Sequence, residues 1–358
     1  MWSTGSAGAW CEERVGRYPF GEPKRSHARL TRALITGASG QDGAYLARLL
    51  LDRGYEVVGT SRTGGATAIA RLVSLGIADR VRMLAAEPSR DDEAQRLVDE
   101  IAPHEVYNLG AQSSVGQSFA RPRETSRSIV DVTQNLLEAI RTSGRPIRFY
   151  GAGSSEMFGD NAGRPSTEDT PLRPRSPYAA AKCAAFWQVA TYRESYGLFG
   201  VTGILFNHES PLRPAHFVTT KIVETAWAIA HHQAERIELG EIDVVRDWGW
   251  APEYVEAMWR MMRADTPQDL VVATGFAMTL RAFATHAFAY FGLNFDDHLD
   301  RNLVLLRPNE LAYTCGDARR ARQVLGWSAE LAGKPLVDRL CAAAESRLSA
   351  KGEKKDGG

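Results

Sequence analysis

The chain has few cysteines, no long apolar run and no excess of either charge. Its 4 cysteines, Cys11, Cys183, Cys315 and Cys341, are far apart and form no CxxC pair. This spacing excludes a disulfide framework and a metal site built on paired thiolates, so we predict reduced thiols in a cytoplasmic protein without a metal. No apolar run approaches the roughly 18 residues of a membrane-spanning helix, so no membrane partner is expected.

The balance of charge bears on the partners of the protein. Lysine and arginine together number 43, as do aspartate and glutamate, so the formal net charge at pH 7 is +0. Such a chain has no electrostatic signature of nucleic-acid binding, and we expect no nucleic-acid partner. Residues 1–30 lack an apolar signal-peptide core and are interpreted as an N-terminal extension of unassigned role. Residues 346–358, rich in lysine and glycine at their end, are predicted to form a flexible tail.

A predicted strand, a glycine turn and a predicted helix follow one another near residue 33. Residues 33–36 are apolar, Gly37, Gly40 and Gly43 follow, and large apolar residues recur at helical spacing over 45–50. In this context backbone amides can approach a pyrophosphate at the N-terminus of a helix, where its negative charge is favoured. The GxxGxxG pattern therefore predicts a dinucleotide site.

The end of the second predicted strand, 56–60, bears on which dinucleotide binds. It is followed by Arg62. An acidic residue at this point suits a free ribose 2′-hydroxyl, whereas an arginine suits a 2′-phosphate, so Arg62 favours NADP, with NAD as the alternative. A connection is predicted over 71–79, and strands then alternate with helices to about residue 206. This alternation predicts an α/β fold with a Rossmann-type, doubly wound parallel sheet.

Four residues with catalytic chemistry lie between 151 and 182: Ser154, Glu156, Tyr178 and Lys182. Tyr178 and Lys182 are four residues apart and would share one face of a helix. A lysine ammonium beside a phenol favours the phenolate, so we predict a lowered tyrosine pKa and a base for a substrate hydroxyl. A lone YxxxK pair is more often a half-buried ring beside a solvated lysine, so this interpretation depends on the rest of the chain.

Polar residues in the C-terminal half suggest a second part of the site. A polar loop at 207–211 is followed by Lys221, Arg246, Arg307 and Glu310. Cations on separate loops are either ordinary surface charge or converge on a diphosphate, which suits the planar fork of arginine. Sequence spacing leaves both interpretations open.

Eight segments of the chain resemble the GDP-mannose 4,6-dehydratase family, a branch of the extended short-chain dehydrogenases/reductases. They are ALITGASGQDGAYLA (33–47), VYNLGAQSSVGQSF (106–119), GSSEMFG (153–159), RSPYAAAK (175–182), GILFNHESP (203–211), RDWGWAPEYVEAMW (246–259), VVATG (271–275) and GDARRARQVLGW (316–327). The run FNHESP together with RDWG is typical of this branch. The resemblance implies a Rossmann domain over 31–206 and a smaller, discontinuous C-terminal substrate domain over 207–345, interleaved with the last sheet strands.

The resemblance implies an internal redox cycle that converts GDP-mannose to GDP-4-keto-6-deoxy-mannose. Tyr178, assisted by Lys182 and Ser154, would deprotonate the hexose C4 hydroxyl while hydride leaves C4 for the nicotinamide. Glu156 would remove the acidified C5 proton, water would leave from C6, and the hydride would return to C6. A plain epimerase or reductase needs no carboxylate beside the serine, so Glu156 is the most discriminating of these residues; its alternative role is that of a solvated loop glutamate.

The resemblance also implies binding residues and an oligomer. The positions that match family cofactor contacts are Gly37, Gly40, Gln41, Asp42, Gly43, Arg62, Leu109, Ala111, Gln112, Ser113, Tyr178, Lys182, His208 and Arg213. The positions that match nucleotide-sugar contacts are Ser114, Asn207, Lys221, Arg246, Arg307 and Glu310. The protein is expected to be a homodimer or homotetramer. The chain has a single arginine after the second strand where the family has two, and its next loop is shortened, which leaves cofactor choice and oligomeric state open.

Two other functions are compatible with the same residues. If the hydride returned to C4 instead of C6, the product would be a 5,6-alkene. Such a 5,6-dehydratase would act on a nucleotide-sugar or nucleoside in antibiotic biosynthesis. The other alternative is an inactive binding subunit, and the presence of Ser154, Glu156, Tyr178 and Lys182 argues against it.

Overall fold

A computed structural model describes residues 30–62, 66–306 and 308–353, the last three without their side chains. The predicted substrate contact Arg307, residues 1–29 of the predicted extension and residues 354–358 of the predicted tail lie outside the described residues.

The elements alternate between strands and helices in the first half of the chain. The strands are β1 (Arg32–Thr36), β2 (Glu56–Ser61), β3 (Val81–Ala85), β4 (Glu105–Asn108), β5 (Arg148–Ala152), β6 (Gly200–Leu205), β7 (Asn207–Glu209), β8 (Ile237–Leu239), β9 (Val245–Trp250), β10 (Leu270–Val272), β11 (Ala277–Thr279), β12 (Leu299–Arg301) and β13 (Tyr313–Thr314). The helices are α1 (Gln41–Asp52), α2 (Ala66–Ser74), α3 (Asp91–Ile101), α4 (Val115–Ala120), α5 (Pro122–Ser126), α6 (Val132–Ser143), α7 (Pro177–Tyr196), α8 (Val218–Ala230), α9 (Ala251–Arg263), α10 (Leu280–Tyr290), α11 (Phe295–His298), α12 (Arg319–Leu325) and α13 (Gly333–Glu353).

A parallel sheet of seven strands organises the molecule, in the order β10-β6-β5-β4-β1-β2-β3. All its pairings are parallel. The strand order changes direction between β1 and β4, and in open sheets of this kind a ligand crevice lies at that point, beyond the carboxyl ends of the strands. The predicted Rossmann-type, doubly wound α/β fold is confirmed.

Apolar side chains cover both faces of this sheet. One core joins α1, α9 and α12 through Leu50, Met258 and Ala321, and the other joins α3 and α6 through residues such as Leu97 and Leu137. Parallel sheets are stable only when both faces are covered in this way. Helices from the last third of the chain therefore help to build the dinucleotide-binding half.

A further core lies in the C-terminal part, where α8, α10 and α13 pack around Phe283 and Phe288. A smaller sheet, β11-β9-β13 with β7 paired to β9, borders it. Two elements that follow the domain boundary predicted between 206 and 207 pack with the first domain. Strand β10 joins the large sheet, and α9 packs on α1.

The prediction of a flexible tail from residue 346 is wrong for 346–353, which continue α13. The buried side of this helix, including Leu340 and Ala344, anchors it on the C-terminal core. None of the helices within the described ranges has both the length and the apolar character needed to cross a lipid bilayer.

Candidate active site

The four predicted catalytic residues come together beyond the carboxyl end of β5. Ser154 lies two residues after this strand, and Tyr178 and Lys182 lie on the first two turns of α7. Ser176 fixes the start of α7, because its hydroxyl accepts a hydrogen bond from the Ala179 amide at 3.1 Å. Serine caps of this type satisfy amides that the first turn of a helix leaves without partners, so Tyr178 and Lys182 project from a well-defined helix start.

Ser154 connects the other members of this group. Its hydroxyl accepts a hydrogen bond from the Glu156 amide at 3.3 Å, within a 3₁₀ turn over residues 155–158. Ser154 is also hydrogen-bonded to Tyr178, and the charge of Glu156 acts on the same phenol. The Lys182 Nζ atom lies 5.7 Å from the centre of the Tyr178 ring and donates to the Ala152 carbonyl at 2.8 Å.

Burial determines the protonation of this group. Tyr178 and Lys182 are each 8% exposed. Burial raises the pKa of Tyr178 to about 12, although the hydrogen bond with Ser154 acts in the opposite direction, and burial lowers the pKa of Lys182 to about 8. The predicted lowering of the tyrosine pKa is therefore wrong for this structure. Loss of hydration disfavours the charged form of both groups, and for Tyr178 it outweighs the hydrogen bond with Ser154.

The glycine turn after β1 fits a dinucleotide. Gly37 has a φ of +70°, and a Cβ atom there would lie 2.6 Å from the Gly110 Cα atom, so only glycine is accommodated. A Cβ atom at Gly43 would lie 2.3 Å from the Gly37 carbonyl oxygen. No side chain caps α1 at Gly40, so the first amides of that helix can receive a pyrophosphate.

The turn after β4 forms the facing side of the same cradle. The Thr36 hydroxyl accepts hydrogen bonds from the amides of Leu109, at 3.1 Å, and Gly110, at 3.0 Å. Gln112 donates through Nε2 to the Ser114 carbonyl at 2.8 Å, whereas its buried Oε1 atom has no hydrogen-bond partner among the described residues. A buried acceptor without a partner suits a ligand donor, so the residues present fit the predicted cofactor.

The other residues of the dinucleotide-binding half that were predicted to contact cofactor or substrate differ in exposure to solvent. Ala111 borders a small cavity that Lys182 also lines. Ser113 and Arg62 are exposed, Arg62 immediately after the end of β2. Ser114 begins α4 and accepts a hydrogen bond from the Gln117 amide at 3.3 Å.

An ion pair joins the start of α1 to β7. The His208 Nε2 atom lies 2.9 Å from Asp42 Oδ2, and its Nδ1 atom lies 2.7 Å from the Phe206 carbonyl oxygen. Burial disfavours the imidazolium, but the charge and hydrogen bond of Asp42 outweigh it and raise the pKa of His208. Burial likewise opposes the Asp42 carboxylate, and His208 outweighs it to lower the pKa of Asp42 to about 2. Both ring nitrogens of His208 face acceptors, so each has to carry a proton to donate a hydrogen bond. A doubly protonated imidazole is cationic, and its contact with Asp42 is therefore an ion pair.

Gln41 reinforces this connection. Its Nε2 atom donates to the His208 carbonyl at 3.2 Å, and its Oε1 atom accepts from the Ser210 hydroxyl at 2.8 Å. The His208 ring also stacks on Tyr254, with 4.5 Å between ring centres. Sequence analysis assigned Gln41, Asp42 and His208 to the cofactor separately, and the structure brings them into contact with one another.

Arg213 lies just beyond this contact. It pairs with buried Glu209 at 3.3 Å, and its guanidinium lies 3.8 Å from the centre of the Phe217 ring. Glu209 also accepts a hydrogen bond from the Thr219 hydroxyl at 2.7 Å. Sequence analysis did not single out Glu209, which holds Arg213 in place.

Of the predicted substrate contacts, Arg246, Glu310 and Asn207 lie on or beside β9, whereas Lys221 lies elsewhere. Arg246 on β9 is 7% exposed and pairs with Glu310, with 2.6 Å between Nη2 and Oε1. Asn207 begins β7, which pairs with β9. Lys221 on α8 contacts β8 instead, donating to the Glu238 carbonyl at 2.7 Å.

Asp247 supports this side of the site and was missed by sequence analysis. Its carboxylate is fully buried and accepts from the Thr274 hydroxyl at 2.6 Å, the Thr274 amide at 3.1 Å and the Gly275 amide at 2.9 Å. Burial raises the pKa of Asp247. These bonds fix the strand that carries Arg246. The only sequence signal was its place in the run RDWG.

Comparison with known proteins gives a consistent set of relatives. A family model described as GDP-mannose 4,6 dehydratase matches residues 34–340. GDP-mannose 4,6 dehydratase 1 of Arabidopsis thaliana is 43% identical over 315 residues, which is 85% of this chain and 87% of that protein. GDP-mannose 4,6 dehydratase of Homo sapiens is 39% identical over 330 residues, which is 85% of this chain and 89% of that protein.

Solved structures show the same fold. A dTDP-glucose 4,6-dehydratase from Streptomyces venezuelae, a double mutant of DesIV with NAD bound, has a TM-score of 0.79 at 19% identity, covering 88% of this chain and 97% of that one. RMD from Pseudomonas aeruginosa, with NADPH bound, has a TM-score of 0.72 at 22% identity, covering 89% of this chain and 98% of that one.

The lowered pKa of Lys182 predicts a stability that depends on pH. Burial of the Lys182 ammonium destabilises the folded state, and below pH 8 this penalty is fully present. Between about pH 8 and pH 10.5, the ordinary pKa of lysine, the folded state binds fewer protons than the unfolded state. The stability of the folded protein therefore rises over this range as the penalty disappears. Lys182→Met should remove a penalty of about 3 kcal/mol at pH 7, less about 1 kcal/mol for the lost bond to Ala152, so the cofactor-free protein should become more stable by about 2 kcal/mol at pH 7 and by much less at pH 10. Urea unfolding at both pH values checks this.

Lys221→Met is the matched control for this experiment, because Lys221 also donates to a backbone carbonyl but lies nearer the surface. Its effect should not change between pH 7 and pH 10. A Lys182→Met protein that is less stable than wild type at both pH values would contradict the prediction.

Proposed function

The chain belongs to the GDP-mannose 4,6-dehydratase family, and we propose that it converts GDP-mannose to GDP-4-keto-6-deoxy-mannose. The grouping of Ser154, Glu156, Tyr178 and Lys182 at the carboxyl end of β5 supports this most directly. A carboxylate beside the serine is needed for elimination of water, not for epimerisation or simple reduction.

Oxidation of the sugar at C4 is the task of Tyr178. NADP or NAD, held at the glycine turn, supplies the hydride acceptor and, in its oxidised form, a positive charge that favours the phenolate. In its phenolate form Tyr178 takes the proton of the C4 hydroxyl, and the hydrogen bond with Ser154 orients the phenolic oxygen. Because the pKa of Lys182 is about 8, its ammonium is mostly retained at pH 7 and opposes the effect of burial on the phenol.

Elimination of water is the task of Glu156. The 4-keto group acidifies the proton at C5, which the Glu156 carboxylate removes as a general base. The 3₁₀ turn holds the backbone of Glu156 to Ser154, which supports a role for the two residues at the neighbouring carbons C5 and C4 of the sugar. Arg246 and Asn207 are assigned to binding of the nucleotide-sugar.

Product analysis tests the proposal. The purified protein is incubated with GDP-mannose, with and without added NADP, and the product is examined by mass spectrometry and proton NMR. Loss of one water with a new C6 methyl signal is expected. Vinylic protons would instead identify a 5,6-dehydratase of antibiotic biosynthesis, and unchanged GDP-mannose would contradict the proposed substrate.

Glu156→Gln should separate the two half-reactions. The amide cannot remove the C5 proton, so oxidation at C4 proceeds without elimination and the nicotinamide absorbance band should rise after GDP-mannose is added. Tyr178→Phe should abolish this rise, because oxidation itself fails. Glu194→Gln, a change at an exposed position on α7, is the control and should behave as wild type. If Glu156→Gln matched wild type in every assay, the alternative of an inactive binding subunit would be favoured.

A homodimer or homotetramer in the cytoplasm remains our expectation. On α7, Trp187 is 59% exposed and Tyr196 is 54% exposed, and large apolar side chains in such positions favour an interface. The buried thiols of Cys183, Cys315 and Cys341 are unpaired, as in a reducing compartment. Light scattering on the purified protein should give a dimer or tetramer mass, and a monomer would contradict this part of the proposal.

A further inference from the structure

Arg71 joins the glycine turn to the segment that follows β7. Its Nη1 atom donates to the Ser39 carbonyl at 2.9 Å, and its Nε atom donates to the Leu212 carbonyl at 2.9 Å. The residue lies on α2, in a stretch that the sequence predicted only as a connection. A guanidinium has five N–H donors, so donors remain for a ligand after these two bonds.

Arg71 is partly buried and lies near a second cation. Within the described ranges no carboxylate forms an ion pair with it, and burial lowers its pKa. Burial is the main cause of the lowered pKa of His216, and the charges of Arg213 and Arg71 lower it further. Both cations therefore act on the region around His216. An arginine that is partly buried without a counter-ion is costly unless an anion completes the site.

The position of Arg71 indicates which anion. Ser39 lies in the glycine turn after β1, and β2 lies beside β1 on the side away from β4. In doubly wound sheets the adenosine ribose lies on the β2 side, where the residue near the end of β2 contacts the 2′ position. Arg71 and Arg62 both belong to this side of the turn.

We propose that Arg71 binds the 2′-phosphate of the NADP adenosine and, with Arg62, sets a preference for NADP over NAD. This rests on the assignment of a nicotinamide dinucleotide to the glycine turn. The 2′-phosphate is a compact dianion, and the remaining N–H donors of Arg71 can bind two of its oxygens while Ser39 and Leu212 hold the guanidinium in place.

Titration calorimetry with adenosine 2′,5′-bisphosphate and with 5′-AMP tests the assignment without any turnover. Wild-type protein should bind the bisphosphate at least about tenfold more tightly, the size of one charge-assisted hydrogen bond. Arg71→Gln keeps a donor for Ser39 but loses the charge, so it should reduce bisphosphate affinity about tenfold and leave AMP within about twofold. Arg71→Lys keeps the charge and should retain a preference.

Arg48→Gln is the matched control, because Arg48 on α1 also donates to a distant backbone carbonyl, that of Leu75 just after α2, but has a carboxylate partner in Asp52. It should alter neither affinity. An equal loss for both ligands in Arg71→Gln would overturn the proposal in favour of a purely structural link. If Arg71→Gln does not fold, a wild-type protein that binds the two ligands equally would overturn it as well.

The calorimetry tests the role of Arg71 and the product assay tests the proposed substrate, so either proposal can be refuted without the other. A dehydrated product at saturating NADP without any 2′-phosphate preference would refute only the role of Arg71. A 2′-phosphate preference that Arg71→Gln abolishes, with GDP-mannose left unchanged, would support Arg71 and refute the proposed substrate.

Discussion

The ion pair between Asp42 and His208 connects two parts of the chain that are 166 residues apart. Asp42 lies in the first turn of the helix that receives the cofactor, and His208 lies on the strand that continues into the C-terminal part. His208 is buried and Asp42 is partly buried, so breaking the pair would leave a poorly solvated charge without compensation. Gln41 adds two further bonds across the same junction. The cofactor cradle and the substrate side are thus held as one unit.

At the Tyr178 and Lys182 side of the site, burial rather than an ion pair determines the pKa values. Tyr178 and Lys182 are buried on α7, and burial shifts the pKa of each group in the direction that favours its neutral form. Such perturbed groups are typical of catalytic centres, where function is obtained at the expense of stability. Ser154 is hydrogen-bonded to both the Glu156 amide and Tyr178, so the groups proposed for the two half-reactions are connected through one side chain.

Local patterns in the sequence were sufficient for much of this description. The glycine spacing, the YxxxK pair and the alternation of strands and helices each depend on neighbours within a few residues, so the Rossmann-type sheet and the positions of Ser154, Tyr178 and Lys182 followed from them. The resemblance in FNHESP and RDWG identified the family. The boundary at residue 206 could not be placed in the same way, since β10 and α9 return to the first sheet from distant positions in the chain.

The sequence by itself determined which residue types and which helix starts form the site, because hydrophobic period, glycine turns and helix caps are short-range properties. Only the tertiary structure decided the pKa of Tyr178, the pairing of Arg246 with Glu310, the burial of Asp247 and the link made by Arg71. Each of these depends on how deeply a group is buried and on partners that lie far away along the chain. Solvation and long-range pairing are set when the elements pack together, and no local spacing encodes them.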